Sequence, residues 1–137
     1  MKLVIDTNVI FSALLKEGKT RDILLNEDVE IYIPEYFFSE LMDYEDMIVN
    51  RTGMDKDEYR TLIDLLFLNI DVVPKEDFED ELNKAKDIME EIDPDDSPFL
   101  GLAMKKDCIL WSDDGHFDDQ NEVKVLGTTD VIRKTLE

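Results

Sequence analysis

Leu3, Val4 and Ile5 form an unbroken apolar run between Lys2 and Asp6. A run this short and rich in β-branched residues suits a strand buried on both faces, which predicts strand one over about Lys2–Asp6. A second apolar stretch, from about Asn8 to Leu15, reads as a helix that ends near Gly18. Thr20 is placed to cap a second short helix carrying Ile23, Leu24 and Leu25. Val29–Ile33 alternates and then turns apolar, which predicts strand two, ended by Pro34. From Glu35 the period changes. Phe37, Leu41, Tyr44 and Ile48 recur at helical spacing and predict a helix with one buried face, running on until Gly53 breaks it. Asp55 followed by Glu58 is a variant of a capping box. It opens a helix to about Leu68 with Tyr59, Leu62, Ile63, Leu66 and Phe67 inside.

Asp71–Val73 is a brief third strand stopped by Pro74. Lys75 to about Ile92 is strongly charged and carries Phe78, Leu82, Ala85, Ile88 and Met89 at helical intervals. It reads as an exposed helix with a narrow buried stripe. The loop Asp93-Pro94-Asp95-Asp96-Ser97-Pro98 opens the next helix, because proline and acids both favour a helix start. Gly101 and Ala103 on that helix predict a close approach to the sheet. Ile109–Trp111 is strand four, Ser112-Asp113-Asp114-Gly115 its turn, and Val123–Leu126 strand five. Thr128 is placed to cap a terminal helix ending near Leu136. Strands alternating with helical segments predict an α/β fold, a parallel sheet with helices on both faces. No repeat or linker divides residues 1–137, so one domain is expected.

Composition narrows this picture. Of the 137 residues, 43% are hydrophobic, enough for a conventional core. No apolar stretch is long enough to span a membrane, and the first residues read as a strand and not as a signal peptide. Cys108 is the single cysteine, which excludes an intrachain disulfide and makes the cytoplasm the expected compartment. In its apolar context it reads as a small core residue. Fifteen basic against 35 acidic residues give a net charge of −20. That argues against passive binding to nucleic acid, whose affinity comes from basic surface, but not against an enzyme that meets nucleic acid through bound cations. The few basic residues gather around the first helix break, as Lys16, Lys19 and Arg21, and around the later helices, as Arg51, Lys56 and Arg60.

The candidate chemistry is acidic. Asp6, Asp113 or Asp114, and the loop that holds Asp96 all follow strands or start helices. Such positions share one rim of a right-handed α/β sheet, and Glu40 follows strand two closely enough to face it. The plainer role for Asp6 is a turn residue or helix cap. Two carboxylates about 5 Å apart repel by roughly 3 kcal/mol at an effective dielectric near 20, and no lysine or arginine lies beside any of them in sequence. Magnesium or manganese neutralises such a group, since hard cations take carboxylate oxygen. The lack of a histidine pair or cysteine cluster disfavours zinc. His116, the only histidine, follows Asp114 by two and is within reach of the site, but nothing pairs with it in sequence and it reads as a loop residue. Tyr36, Phe37, Phe38 and Tyr44 read as core rather than a platform for bases.

On four segments the chain resembles the PIN-domain family of metal-dependent ribonucleases, and within it the stand-alone VapC-like members. These segments are Leu3-Val4-Ile5-Asp6-Thr7-Asn8, Phe38-Ser39-Glu40-Leu41, Asp96-Ser97-Pro98-Phe99-Leu100-Gly101-Leu102-Ala103, and Leu110-Trp111-Ser112-Asp113-Asp114-Gly115-His116-Phe117. They stand in the family's order across nearly the whole chain. The resemblance implies a three-layer α/β/α fold with a central parallel sheet of four to five strands. It implies an endoribonuclease in which Asp6, Glu40, Asp96 and Asp114 are catalytic and hold one or two magnesium or manganese ions. Water would attack phosphorus in line, leaving a 3′-hydroxyl and a 5′-phosphate. Asn8 and Ser112 match supporting positions, Asp113 is an added acid beside the expected one, and Asp118 is an outer-sphere candidate. Lys16, Lys19, Arg21, Arg51, Lys56 and Arg60 would touch the RNA. An antitoxin protein and a second copy of the chain are the implied partners, since small members are often the toxin of a toxin–antitoxin pair. Two rivals remain. One is a metal- or RNA-binding regulatory module of the same fold without catalysis. The other is a phosphatase with Asp6 as nucleophile, which Asn8 disfavours because such enzymes need an acid there.

Overall fold

A computed structural model describes residues 1–136. Five parallel strands, β1 (Lys2–Ile5), β2 (Glu30–Pro34), β3 (Ile70–Val73), β4 (Ile109–Trp111) and β5 (Val125–Leu126), lie in the order β3-β2-β1-β4-β5. Leu3, Val4 and Ile5 are wholly buried because β1 is central, paired through Leu3 with Ile31 on one side and with Ile109 on the other. The chain moves outward from β1 to β3, crosses back, and continues through β4 and β5. The strand order therefore reverses between β1 and β4, the place where open parallel sheets form a crevice beyond their carboxyl ends.

Two helix layers follow from those crossings. Helices α1 (Thr7–Leu15), α2 (Lys19–Leu24), α3 (Glu35–Asp43), α4 (Glu45–Thr52), α5 (Lys56–Phe67) and α8 (Thr128–Leu136) form one layer. Helices α6 (Glu79–Met89) and α7 (Ser97–Lys106) cover the other face, with α7 lying across β2, β1 and β4. The three-layer α/β/α arrangement and its five-strand parallel sheet are those expected from the sequence. No helix among the described residues is long and apolar enough to cross a membrane.

Local expectations change in five places. The helix expected from Glu35 to Gly53 is two helices, broken at Tyr44, whose φ of −94° and ψ of 2° leave the helical region. Tyr44 is 39% exposed and packs edge-on against Phe11 rather than inside the core. Thr20 does not cap α2, since Gly18 stands at that cap. The charged segment from Lys75 begins as a 3-10 turn, Lys75–Asp77, and only then becomes α6. Gly101 faces α6 and not the sheet. A Cβ there would lie 2.9 Å from the Leu82 Cα, so glycine sets how tightly the two helices pack. Thr128 is the first residue of α8, and the acceptor at that end is Asp113, described below.

Candidate metal centre at the carboxyl ends of the strands

Asp6 ends β1 and caps α1. One carboxylate oxygen, Oδ1, accepts the Val9 N–H at 3.1 Å, and the other, Oδ2, accepts the hydroxyl of Ser112, two strands' ends meeting across the switch point. The Ser112 hydroxyl in turn accepts the Asp114 N–H at 3.0 Å. Ser112 thus ties the end of β4 to the end of β1. Asp6 is 4% exposed, and burial raises its carboxyl pKa, reinforced by the Asp114 charge. A carboxylate removed from water beside another carboxylate is stable only with a compensating cation or proton.

The adjacent acids Asp113 and Asp114 part here. Asp113 accepts the Thr128 N–H at 2.8 Å through Oδ1 and the Thr128 hydroxyl through Oδ2, so it caps α8. That hydroxyl also accepts the Trp111 indole N–H at 3.0 Å. Asp114 turns to the rim, where its Oδ1 accepts the His116 N–H at 2.9 Å. Asn8 is exposed on the first turn of α1, and Asp118 is exposed in the 3-10 turn Gly115–Asp119.

Asp96 sits at the N-terminus of α7, beside Asp93 from the same loop. The His116 Nδ1 lies 3.3 Å from Asp96 Oδ2, 3.4 Å from Asp93 Oδ2 and 3.3 Å from Asp114 Oδ1. Desolvation, with the charges of Asp93 and Asp114, lifts the Asp96 carboxyl to about 6 against the hydrogen bond from His116. The same hydrogen bond and the carboxylates raise the imidazole pKa. Glu40, on α3, lines a cleft of about 430 Å³ together with Thr7 and Asp96. Asp114 is therefore close enough for its charge to act on both Asp6 and Asp96, and Glu40 shares the cleft with Asp96. Among the described residues no lysine or arginine pairs with any of these acids.

The structure brings Asp93, which the sequence offers only as part of a loop, and His116, read there as a loop residue, together with Asp96. Asp93 has the signal of a loop residue that caps a 3-10 turn, which it also does, accepting the Asp95 N–H at 3.1 Å. His116 reaches the acids only because the turn after β4 folds towards α7. Atoms of Asp93, Asp96 and His116 lie within 4.8 Å of one another, as ligands of one ion do. Tyr36, expected in the core, is 65% exposed and lines the cleft, while Phe37 is buried.

None of the six basic residues singled out by sequence lines this cleft. Lys16 and Lys19 follow the far end of α1, about 13 Å from the rim for a nine-residue helix. Arg21 donates to the Ala13 carbonyl at 2.7 Å and to that of Leu14, capping α1. Lys56 pairs with Asp46 at 3.3 Å and Arg60 with Glu45 at 2.9 Å, and Arg51 is exposed in the last turn of α4. The lysines that line the cleft are Lys75 and Lys86. Cys108 lies at the other end of β4, where burial pushes its thiol up to about 11 and leaves it inert.

Comparison with known proteins agrees with this fold. The fold is similar to the crystal structure of VapBC2 from Rickettsia felis bound to a DNA fragment from their promoter, with a TM-score of 0.72 and 14% identity. The match covers 93% of this chain and 98% of that one. No curated protein matches the sequence. Residues 4–130 match the PIN-domain family model. That span reaches all five strands and includes every acid of the rim, and on this match the chain belongs to the PIN-domain family.

Proposed function

We propose that the protein is a divalent-metal-dependent endoribonuclease that hydrolyses RNA phosphodiester bonds, in the manner of the toxin of a toxin–antitoxin pair. The observation that supports this reading is that Asp114 lies near both Asp6 and Asp96, with Glu40 in the cleft beside Asp96, and that among the described residues no lysine or arginine forms an ion pair with any of them. The donor set fits magnesium or manganese. It is built of hard carboxylate oxygens, with His116 as one nitrogen donor that manganese accepts more readily. Asp6 and Asp96 would hold a first ion, with Glu40 and Asp114 completing its shell or recruiting a second. A bound ion of this kind supplies Lewis-acid stabilisation of the phosphoryl oxygens and lowers the pKa of water.

The chain's own residues prepare that chemistry. Ser112 fixes the Asp6 carboxylate against β4, so its orientation needs no rearrangement when a cation arrives. Asp113 holds α8 and the β4 turn in place and leaves Asp114 for the rim. Exposed Met42, Tyr44, Met47, Leu65 and Leu68 give the α3–α5 side apolar surface for an antitoxin or a second copy of the chain. The cytoplasm is the proposed compartment. The net charge of −20 favours a second reading, an RNA- or metal-binding module without cleavage. One assay separates the two: mixed RNA incubated with magnesium, manganese or chelator beside Asp6→Asn. Metal-dependent cleavage lost in Asp6→Asn supports the nuclease. Cleavage by Asp6→Asn at the parent rate would show the assignment wrong, and metal-dependent RNA binding without cleavage would favour the module.

A further inference from the structure

The cleft beside the carboxylates contains groups that metal binding leaves unused. Lys75, in the turn after β3, and Lys86, on α6, line it, and neither has an acidic partner among the described residues of a chain with 35 acids. Ser97 also lines it. The Ser97 side chain is wholly buried, yet its hydroxyl has no hydrogen-bond partner. A buried hydroxyl left unpaired in an otherwise well-satisfied fold points to a ligand group that meets it. Phe78, which precedes the first turn of α6, and Leu82 and Lys86 on that helix line one side of the cleft, so an apolar wall leads up to the Lys86 ammonium. Tyr36 adds an exposed aromatic ring.

Cations, an aromatic ring, an apolar wall and one free hydroxyl are what a nucleotide presents in reverse: a phosphate, a base face and polar edges. The volume of about 430 Å³ falls within the range of small-ligand sites, about 300–1,000 Å³. We propose that this cleft is a nucleotide subsite next to the metal centre. Lys75 and Lys86 take the phosphate adjoining the scissile one, Tyr36 stacks on the base, and Ser97 bonds to a polar atom of the same nucleotide. RNA affinity then comes from this wall and not from the basic residues of α1, α2, α4 and α5. The proposal deepens the nuclease reading and rests on it.

Binding is measured by anisotropy of a fluorescein-labelled hexauridylate in the Asp6→Asn protein with magnesium, across a salt series. Lys75→Ala with Lys86→Ala should weaken binding about tenfold or more. It should also make the logarithmic salt slope shallower by about 0.7 for each phosphate that is no longer neutralised. Ser97→Ala should weaken binding a few-fold while its urea midpoint stays level or rises, since the parent serine makes no internal hydrogen bond. A merely structural serine would move stability and not affinity. Lys84→Ala, on the same helix but lining a different cleft, should bind as the background protein does. Binding by the double-lysine variant within twofold of Lys84→Ala would overturn the subsite, as would an absence of saturable binding to the hexauridylate. The nuclease reading fails separately: if the unsubstituted chain cleaves with neither metal while the lysine variants still lose binding, the cleft binds nucleotide but adjoins no scissile phosphate, and the subsite as stated falls with that reading.

Discussion

The two ends of the sheet treat polar groups in opposite ways. At the amino ends of the strands the demanding groups are met. The Asn69 amide, just ahead of β3, donates to the carbonyls of Leu24, Asn26 and Val29 and so ties the loop before β2 to its neighbour. Gln120, ahead of β5, is buried but satisfied at both ends. It donates to the Phe117 and Val123 carbonyls and accepts from the Glu122 and Val123 N–H groups. Arg21 closes the end of α1. At the carboxyl ends, carboxylates crowd together with only one imidazole among them, and Ser97 keeps an unpaired hydroxyl. Native folds satisfy buried polar groups almost everywhere, so the places where they do not are where to look for function. One end of this molecule is built for stability, and the other holds charge that the fold alone does not need.

The sharpest way to break that contrast is Asp6→Asn. Removing one anchoring carboxylate should forfeit several kcal/mol of transition-state stabilisation, about a thousandfold in metal-dependent cleavage rate. The fold should be as stable as before or more so, because the buried Asp6 charge is disfavoured in the native state. Thermal melting of the metal-free protein measures this directly. A rim residue whose removal stabilises the chain while silencing it belongs to the site; a fall in melting temperature together with retained cleavage would place Asp6 in the scaffold.

The mirror experiment is Asn69→Ala. Three carbonyls lose their donor, which should cost about 2–3 kcal/mol of stability by urea unfolding. Cleavage per folded molecule should not change, since Asn69 lies at the other end of the sheet. If activity fell in proportion to a Ser112 substitution instead, the two ends would not be independent.

Proton uptake sharpens the comparison next. Asp96 holds its proton up to about 6, well above the ordinary carboxyl value of 3.8, and the His116 pKa is raised as well. Both groups bind protons more tightly in the folded state. Their stabilising effect is complete below the unfolded values and is lost as pH rises, for Asp96 between about 3.8 and 6 and for His116 above 6.5. The metal-free protein should therefore lose stability at this site from pH 5 to pH 8. Protons and cations compete for the same oxygens, so manganese affinity should fall about tenfold per pH unit below 6 for each proton displaced. The rise in melting temperature on adding manganese should be large at pH 8 and small at pH 5. An equal rise at both values would mean that the ion binds elsewhere.

Much of this was legible in the sequence, and the gaps have physical causes. The central strand announces itself because a covered parallel strand favours an unbroken apolar run, as Leu3-Val4-Ile5 is, and even the edge strand β3, which admits the exposed Asp71, stays otherwise apolar. Asp6 is legible for the same reason: the run stops there. The break at Tyr44 is not, because Phe37, Leu41, Tyr44 and Ile48 keep helical spacing straight through it and no glycine or proline marks the change of axis. Gly101 reads as a close-approach residue, but which neighbour approaches depends on the crossing of α6 over α7. Asp93, His116, Lys75 and Lys86 lie in four different segments, and only the return crossing from β3 to β4 gathers them. Asp6 and Asp114 follow strands directly, whereas Asp96 and the other walls are placed by helices and turns.

Asp113 and Asp114 bring the comparison down to neighbouring residues. They have the same chemistry and the same turn, yet one spends both oxygens on Thr128 and the other faces Asp96 and His116. Asp113→Ala should cost about 1 kcal/mol, the usual loss on removing a helix cap. It should leave cleavage within a few-fold, because Ser112 still holds Asp6 and the Asp114 N–H still reaches Ser112. Asp114→Ala should suppress cleavage while costing the metal-free protein no more stability than Asp113→Ala does, since the lost bond from the His116 N–H is offset by the departure of one repelling charge. The pair is decisive because a disturbance of the shared turn would affect both variants alike. Loss of cleavage in Asp113→Ala with Asp114→Ala active would exchange their roles and move the metal centre towards α8.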